Sequence, residues 1–214
     1  MLEQATRLIL IRHGETAWNR ATRIQGHTDI PLSPLGLAQA ERLAEALADE
    51  PLDAIYCSDL SRARQTAQAL ARDRAMTLQL DAALRERAFG RFEGMSWDEI
   101  TQGYPEDAAR WRRREPDFEV GGGESLNRFS ARCLAAAHRA AASHAGQSIA
   151  LVAHGGVLDC LYRAATGAAL DAPRSWQLGN ATINRLLATA EGFTLIGWND
   201  DRHLAGLSAD DIAA

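Results

Sequence analysis

The 214 residues are 46% hydrophobic, enough to bury one good core and too few for two domains of ordinary size. Twenty-three basic against 28 acidic residues leave a net charge of −5, which excludes a general attraction to nucleic acid or to anionic membranes. No apolar run is long enough to cross a bilayer, and MLEQATR offers no signal-peptide core, so a cytoplasmic location is expected.

The first element is a strand over Thr6–Ile11, a continuous apolar run of the kind buried on both faces of a sheet, which breaks abruptly into Arg12-His13-Gly14-Glu15. A polar loop follows, and then a helix with Ser33 as N-cap and Pro34 at its first position; Ala40, Leu43, Ala44 and Leu47 share the face turned to the sheet. Asp53–Cys57 reads as a second strand, SDLSRARQTAQALARD as a helix capped by Ser58 or Asp59, and Thr77–Leu80 as a weak third strand. From Ala82 to Gly123 regular organisation gives way to an irregular segment rich in aromatics and arginine. A long amphipathic helix starts near Ser125, with Leu126, Phe129, Cys133, Leu134 and Ala137 on one face. SIALVAHGG, Ser148–Gly156, repeats the first pattern, an apolar run that stops at His-Gly. A helix over Val157–Ala165 and strands near Thr182–Ala188 and Phe193–Trp198 complete the chain before a polar tail. Strands alternating with helices imply an α/β fold, a three-layer sandwich with a mainly parallel central sheet flanked by helices. One domain spanning 1–214 is expected, with a cap-like insertion at about 88–123.

Two strand-like runs that both end in histidine and glycine suggest one shared crevice, because open parallel sheets bind ligands beyond the carboxyl ends of their strands. With so acidic a chain, phosphate binding there would need a local cluster of arginines. His13, flanked by Arg12, would sit in a cationic field that lowers its pKa and keeps the imidazole neutral, the nucleophilic form near pH 7.

RHGETAWN (Arg12–Asn19), SDLSRARQTA, RERAFGRFEG and AHGG, in that order, resemble the histidine phosphatase superfamily, which includes cofactor-dependent phosphoglycerate mutases and many small-molecule phosphatases. The likeness runs from about Leu8 to Asp159 and implies a phosphoglycerate mutase-like fold. It implies that His13 accepts the phosphoryl group as phosphohistidine, that Arg12 and Arg62 bind the transferred oxygens, and that His154 donates to the same oxygens. Guanidinium suits that task because its planar fork pairs two oxygens and stays charged. Asn19, Gln25, Gly26 and Gly155 resemble the family's further phosphate contacts. Glu86, in LRER, matches its acid–base carboxylate, and a phosphate dianion beside such a group favours the protonated donor. Arg85 and Arg87 are expected to point elsewhere.

FGRFEGMSWDEI is similar to the F-G-x-W-E-G pattern of the phosphatase branch, with Phe92 in place of tryptophan; Ala88 and Phe89 depart from the mutases' E-R-H-Y-G-x-L. Cys57 stands where the family commonly has serine. The reading is therefore a phosphatase of small-molecule phosphomonoesters. A mutase-type phosphoryl transfer and a non-catalytic phosphate-binding module are the alternatives.

The remaining features have plainer readings. The cysteines (Cys57, Cys133, Cys160) are odd in number with no C-x-x-C pair, as befits free thiols. Glu93 reads as structural, His27 as a loop residue, His138 and His144 as solvated, and His203 as a tail residue without a role at the crevice. GGGES lacks the Lys-Ser/Thr of a P-loop and reads as a turn. The Arg112–Arg114 run reads as a solvated face, or else as a reader of an acidic substrate tail. HTD and NDDRH lack metal-site spacing, so neither metal nor other cofactor is expected. The expected partner is a small phosphorylated metabolite, bound by a monomer or homodimer.

Overall fold

The structure, a computed structural model, describes residues 4–208. Its frame is a six-stranded sheet in the order β3-β2-β4-β1-β5-β6. The strands are β1 (Thr6–Arg12), β2 (Ala54–Cys57), β3 (Leu78–Leu80), β4 (Ser148–Ala153), β5 (Ile183–Thr189) and β6 (Gly192–Asp200). β3, β2, β4 and β1 run parallel, and the β5–β6 hairpin adds antiparallel to β1. The central strands β1 and β4 carry the two apolar runs, as expected of positions covered on both faces.

Alternation along β1 divides the core. Ile9 and Ile11 face Leu43 of α2 (Pro34–Ala46), Leu47 at its C-cap, and Ala63, Ala67 and Leu70 of α3 (Ser61–Arg72). Leu8 and Leu10 face Phe129, Cys133 and Ala137 of α6 (Leu126–Ala142) and Val157, Leu158 and Leu161 of α7 (Gly155–Thr166). The result is the three-layer α/β sandwich that the sequence implied. Cys57 is fully buried at the end of β2, where burial pushes its thiol up to about 12, so it packs and does not react.

Three local expectations need correction. The segment 82–123 is not irregular throughout: it holds α4 (Trp97–Gly103), opened by a Ser96–Glu99 capping box, and α5 (Pro105–Arg112), with proline at its first position. These pack a separate core in which Phe92 is fully buried against Tyr104 and Trp111. The α3 helix is capped neither by Ser58 nor by Asp59. Its N-cap position is Leu60, and the missing acceptor comes from a distant loop, where Asp29 takes hydrogen bonds from Ser61 N–H (2.7 Å) and Ser61 Oγ (2.7 Å). Finally, α7 begins at Gly155, two residues before its expected start, so the glycines of AHGG form the helix N-terminus. Among the described residues no helix is long and apolar enough to cross a membrane.

Candidate active site

The register of the two central strands brings the two His-Gly runs together. Arg12 pairs with Ala153, and His13 N–H donates to Ala153 C=O at 3.0 Å, so His13 and His154 leave adjacent parallel strands at the same level. Their rings lie 5.2 Å apart between centroids. Between β1 and α2 the backbones nearly touch: a Cβ on Gly14 would stand 2.5 Å from the Gly36 carbonyl oxygen, so only glycine fits.

The hydrogen bonds of the two imidazoles fix opposite tautomers. His13 Nδ1 lies 2.7 Å from the Gly14 carbonyl, which can only accept, so Nδ1 carries the proton and Nε2 the lone pair. Arg62 Nε can only donate, and it lies 3.2 Å from His154 Nδ1, so a neutral His154 carries its proton on Nε2. Both rings are buried and both pKa values lie well below the ordinary imidazole value. Burial is the larger cause for each; Arg62 and Arg12 add to it for His13, and Arg62, His13 and Arg12 for His154. For the neutral His13 that the sequence implies, desolvation therefore outweighs the neighbouring cations.

Arg62 is fully buried on the first turn of α3, and burial lowers its pKa to about 10, which leaves it charged at neutral pH. Its other donors reach Gly26 C=O (2.7 Å) and Thr28 C=O (3.0 Å). Arg12 reaches back to the Leu178 carbonyl, while its Nε and the Nε2 of His154 are buried polar atoms without a partner among the described residues. Two buried donors left open in one crevice fit an oxyanion. Gly155 lies against the Arg12 guanidinium, and the α7 N-terminus adds its backbone donors and dipole to the same side.

Glu86 comes to this cluster from the irregular segment after β3. Its Oε2 accepts from Gly156 N–H (3.0 Å) and its Oε1 from Arg87 N–H (2.8 Å), and a side chain on Gly156 would collide with it. Arg85 and Arg87 point away, to Asp59 and to the Glu124 and Phe118 carbonyls respectively. The other expected phosphate contacts are partly committed elsewhere. Asn19 closes a capping box with Thr16 on the short helix α1 (Ala17–Arg20), Gln25 Oε1 accepts from Thr16 Oγ1 (3.0 Å), and Gly26 turns with φ +56° to aim its carbonyl at Arg62.

Several plain readings change. His27 does more than fill a loop, since its Nε2 donates to the Glu86 carbonyl at 2.8 Å. His144 is not simply solvated: it is half-buried between Tyr56 Oη (3.1 Å) and Gln147 Oε1 (2.7 Å). His138 is exposed, yet its ring packs on Phe193. His203 donates to the Ala181 carbonyl (2.9 Å) on the loop behind Arg12. Of the arginine run, Arg112 covers Trp97, Arg113 pairs with Glu115, and Arg114 turns inward to Leu170 C=O and Asp159. Glu93 accepts from His27 N–H, Thr28 N–H, Thr28 Oγ1 and Phe89 N–H, so its contacts are those of a loop brace. Sequence reasoning missed Thr66, whose hydroxyl holds Gly14 N–H (3.0 Å), and Asn180, whose Nδ2 holds the His13 carbonyl (2.9 Å). Gly179-Asn180 shows in sequence only as a turn signal. Among the described residues no group of three or more His, Cys, Asp or Glu side chains is placed to hold a metal ion.

A family model for the histidine phosphatase superfamily (branch 1) matches residues 8–201. The chain is 36% identical over 201 residues to phosphoglycerate mutase-like protein 4 of Arabidopsis thaliana, covering 92% of this chain and 86% of the relative. It is 34% identical over 207 residues to the metal-independent phosphoserine phosphatase of the same plant, covering 95% and 85%. Among solved structures it is similar to Bacillus stearothermophilus YhfR, with a TM-score of 0.87, 32% identity, and coverage of 94% of this chain and 100% of the other.

Proposed function

This chain belongs to the histidine phosphatase superfamily, and from that premise we propose that it is a metal-independent phosphatase that hydrolyses small phosphomonoesters through a phosphohistidine on His13. The observation that carries the reading is the pair of opposite tautomers. One imidazole presents a lone pair at Nε2, the other an N–H at Nε2, and each is set by a hydrogen bond on its far nitrogen.

In the proposed reaction His13 Nε2 attacks phosphorus as the bond to the ester oxygen breaks. The Arg12 and Arg62 guanidinium groups and the His154 Nε2–H stabilise the charge on the transferred oxygens. Glu86 delivers its proton to the departing alkoxide, then takes one from the water that attacks the phosphohistidine, so that inorganic phosphate leaves and His13 is restored. The protein's contribution is position and preset charge, because its donors are fixed before the ester arrives. A relative named as a metal-independent phosphoserine phosphatase supports an ester of this size and independence from metal.

The test is phosphate release from p-nitrophenyl phosphate in excess EDTA by the wild type and by His13→Ala. Release by the wild type alone, with an acid-labile phosphoprotein trapped on rapid quenching, is the expected result. Equal release by His13→Ala would overturn the assigned nucleophile. No release by either protein would overturn the broad phosphatase reading and leave the mutase alternative, tested next with phosphoglycerates.

A further inference from the structure

The segment that carries Glu86 has little regular structure of its own. A 3₁₀ turn covers Ala82–Leu84, and past it the chain runs free of any helix or strand until Gly90. Carbonyls in such a segment have no ladder partners and must be satisfied some other way. Here one side chain does most of that. Arg132 on α6 donates through Nη1 to Ala83 C=O (2.9 Å) and Arg85 C=O (3.0 Å), and through Nη2 to Glu86 C=O (3.2 Å). Its remaining donors fork the Glu124 carboxylate, Nε to Oε1 at 2.8 Å and Nη2 to Oε2 at 2.6 Å. All of the guanidinium's N–H groups are thereby committed, a pattern no lysine can reproduce.

Glu124 completes the grip from the other side. Its Oε2 accepts from Ala88 N–H (2.9 Å), and its own N–H donates to Ala88 C=O (2.9 Å). His27 adds a second donor to the Glu86 carbonyl. Backbone groups at 83, 85, 86 and 88 are therefore tied to one ion pair that is mostly buried, with 23% and 18% of the two side chains exposed. The carboxylate of Glu86 in turn spans two elements, its own segment through Arg87 N–H and the α7 N-terminus through Gly156 N–H. Because α6 packs with α7 in one core, Arg132 fixes the acid-bearing segment against the helix that presents His154.

We propose that Arg132, with Glu124 and His27, is a positioning residue for Glu86: the clamp sets where the carboxyl stands relative to the leaving oxygen without touching substrate. This rests on the phosphatase reading above. A displacement of about 1 Å in a catalytic group costs on the order of 10²-fold in rate. In kcat/KM, which reports the steps up to phosphohistidine formation and not the later activation of water, the loss falls on proton donation, so it depends on the leaving group. An alkoxide needs the proton; p-nitrophenolate departs as a stabilised anion and hardly needs it.

The experiment compares kcat/KM for β-glycerophosphate and for p-nitrophenyl phosphate in wild type, Arg132→Met, Arg132→Lys and Glu124→Gln, with thermal denaturation of each. The expected result is a loss on the order of 10²-fold on the alkyl ester in Arg132→Met, little change on the aryl ester, and partial recovery in Arg132→Lys. Glu86→Gln should shift the ratio of the two rates in the same direction and further. Equal losses on both esters, or none on either, would overturn the clamp and leave Arg132 a backbone brace only. Should Arg132→Met fail to fold, Glu124→Gln keeps the carboxylate's shape and is read by the same ratio. A wild type silent on both esters overturns the phosphatase reading itself, and that control separates the two failures.

Discussion

Arg62 shows how much one buried side chain carries. It orients His154 through Nε, ties the Gly26 and Thr28 carbonyls, and keeps its charge in full burial. Replacing it with alanine strands three acceptors at once, and leaving a buried polar group unmade costs about 1–3 kcal/mol. Arg62→Ala should therefore lose roughly 10²–10³ in turnover together with at least about 3 kcal/mol of stability in urea denaturation, three times the lower bound for one stranded group. Arg12→Ala makes a useful contrast, since among the described residues it strands only the Leu178 carbonyl. Its turnover should fall by a similar factor while stability drops by no more than about 1–3 kcal/mol. Equal stability losses in the two variants would contradict the distinction. The motifs that hold His13, Arg62 and Glu86 were legible because the chemistry proposed for them needs a fixed residue type at a fixed place. Asn180 and Thr66 could not, because they act through a backbone group that any residue supplies.

Among the elements, β1 and β4 were legible because strands covered on both faces must be apolar at every position, and α2 and α6 because a helix facing a sheet repeats its apolar residues at helical spacing. The helices α4 and α5 were missed for a physical reason. They are seven and eight residues long and pack on aromatic side chains outside the main core, so no apolar stripe marks them. The signals they did offer were local, Ser96-x-x-Glu99 and Pro105. The cap of α3 was illegible in principle, because Asp29 lies 32 residues from the Ser61 it serves. That long-range cap stands one residue from Arg62 and so joins helix stability to the site. Asp29→Ala should cost about 1 kcal/mol, the usual loss on removing a cap, read from the denaturation midpoint. Asp29→Asn should recover most of it, because the amide oxygen still accepts. In the aromatic core, Phe92 occupies a fully buried place beside Trp111, with ring centroids 5.9 Å apart and planes 4° from parallel. Phe92→Trp, which restores the residue more usual in the phosphatase pattern, should overfill it at a cost of about 1–3 kcal/mol.

At the scale of the whole molecule the two core layers press both site histidines out of water, and that burial has a consequence for the pH dependence of folding. In the unfolded chain His13 and His154 titrate near 6.5; in the folded protein both are held well below that value, by burial first and by Arg62 next. Below pH 6.5 the unfolded state therefore binds protons that the native state refuses, and stability must rise with pH across that window. The contribution is fully present above 6.5 and is lost progressively on acidification towards the folded-state values. With two such groups the slope can reach at most about 3 kcal/mol per pH unit. Carboxylates that lose their ion pairs on acidification add to any measured slope, so the single-protein curve is not diagnostic. The difference between the wild type and His154→Gln is, because glutamine keeps an acceptor for Arg62 and cannot be protonated. Measured by thermal denaturation between pH 5 and 7.5 without phosphate in the buffer, the variant should lose less stability than the wild type on going from pH 7 to pH 5. Parallel curves would mean that His154 takes up its proton in the folded state as readily as in the unfolded one. The neutral donor on which the proposed chemistry depends would then not be built into the fold.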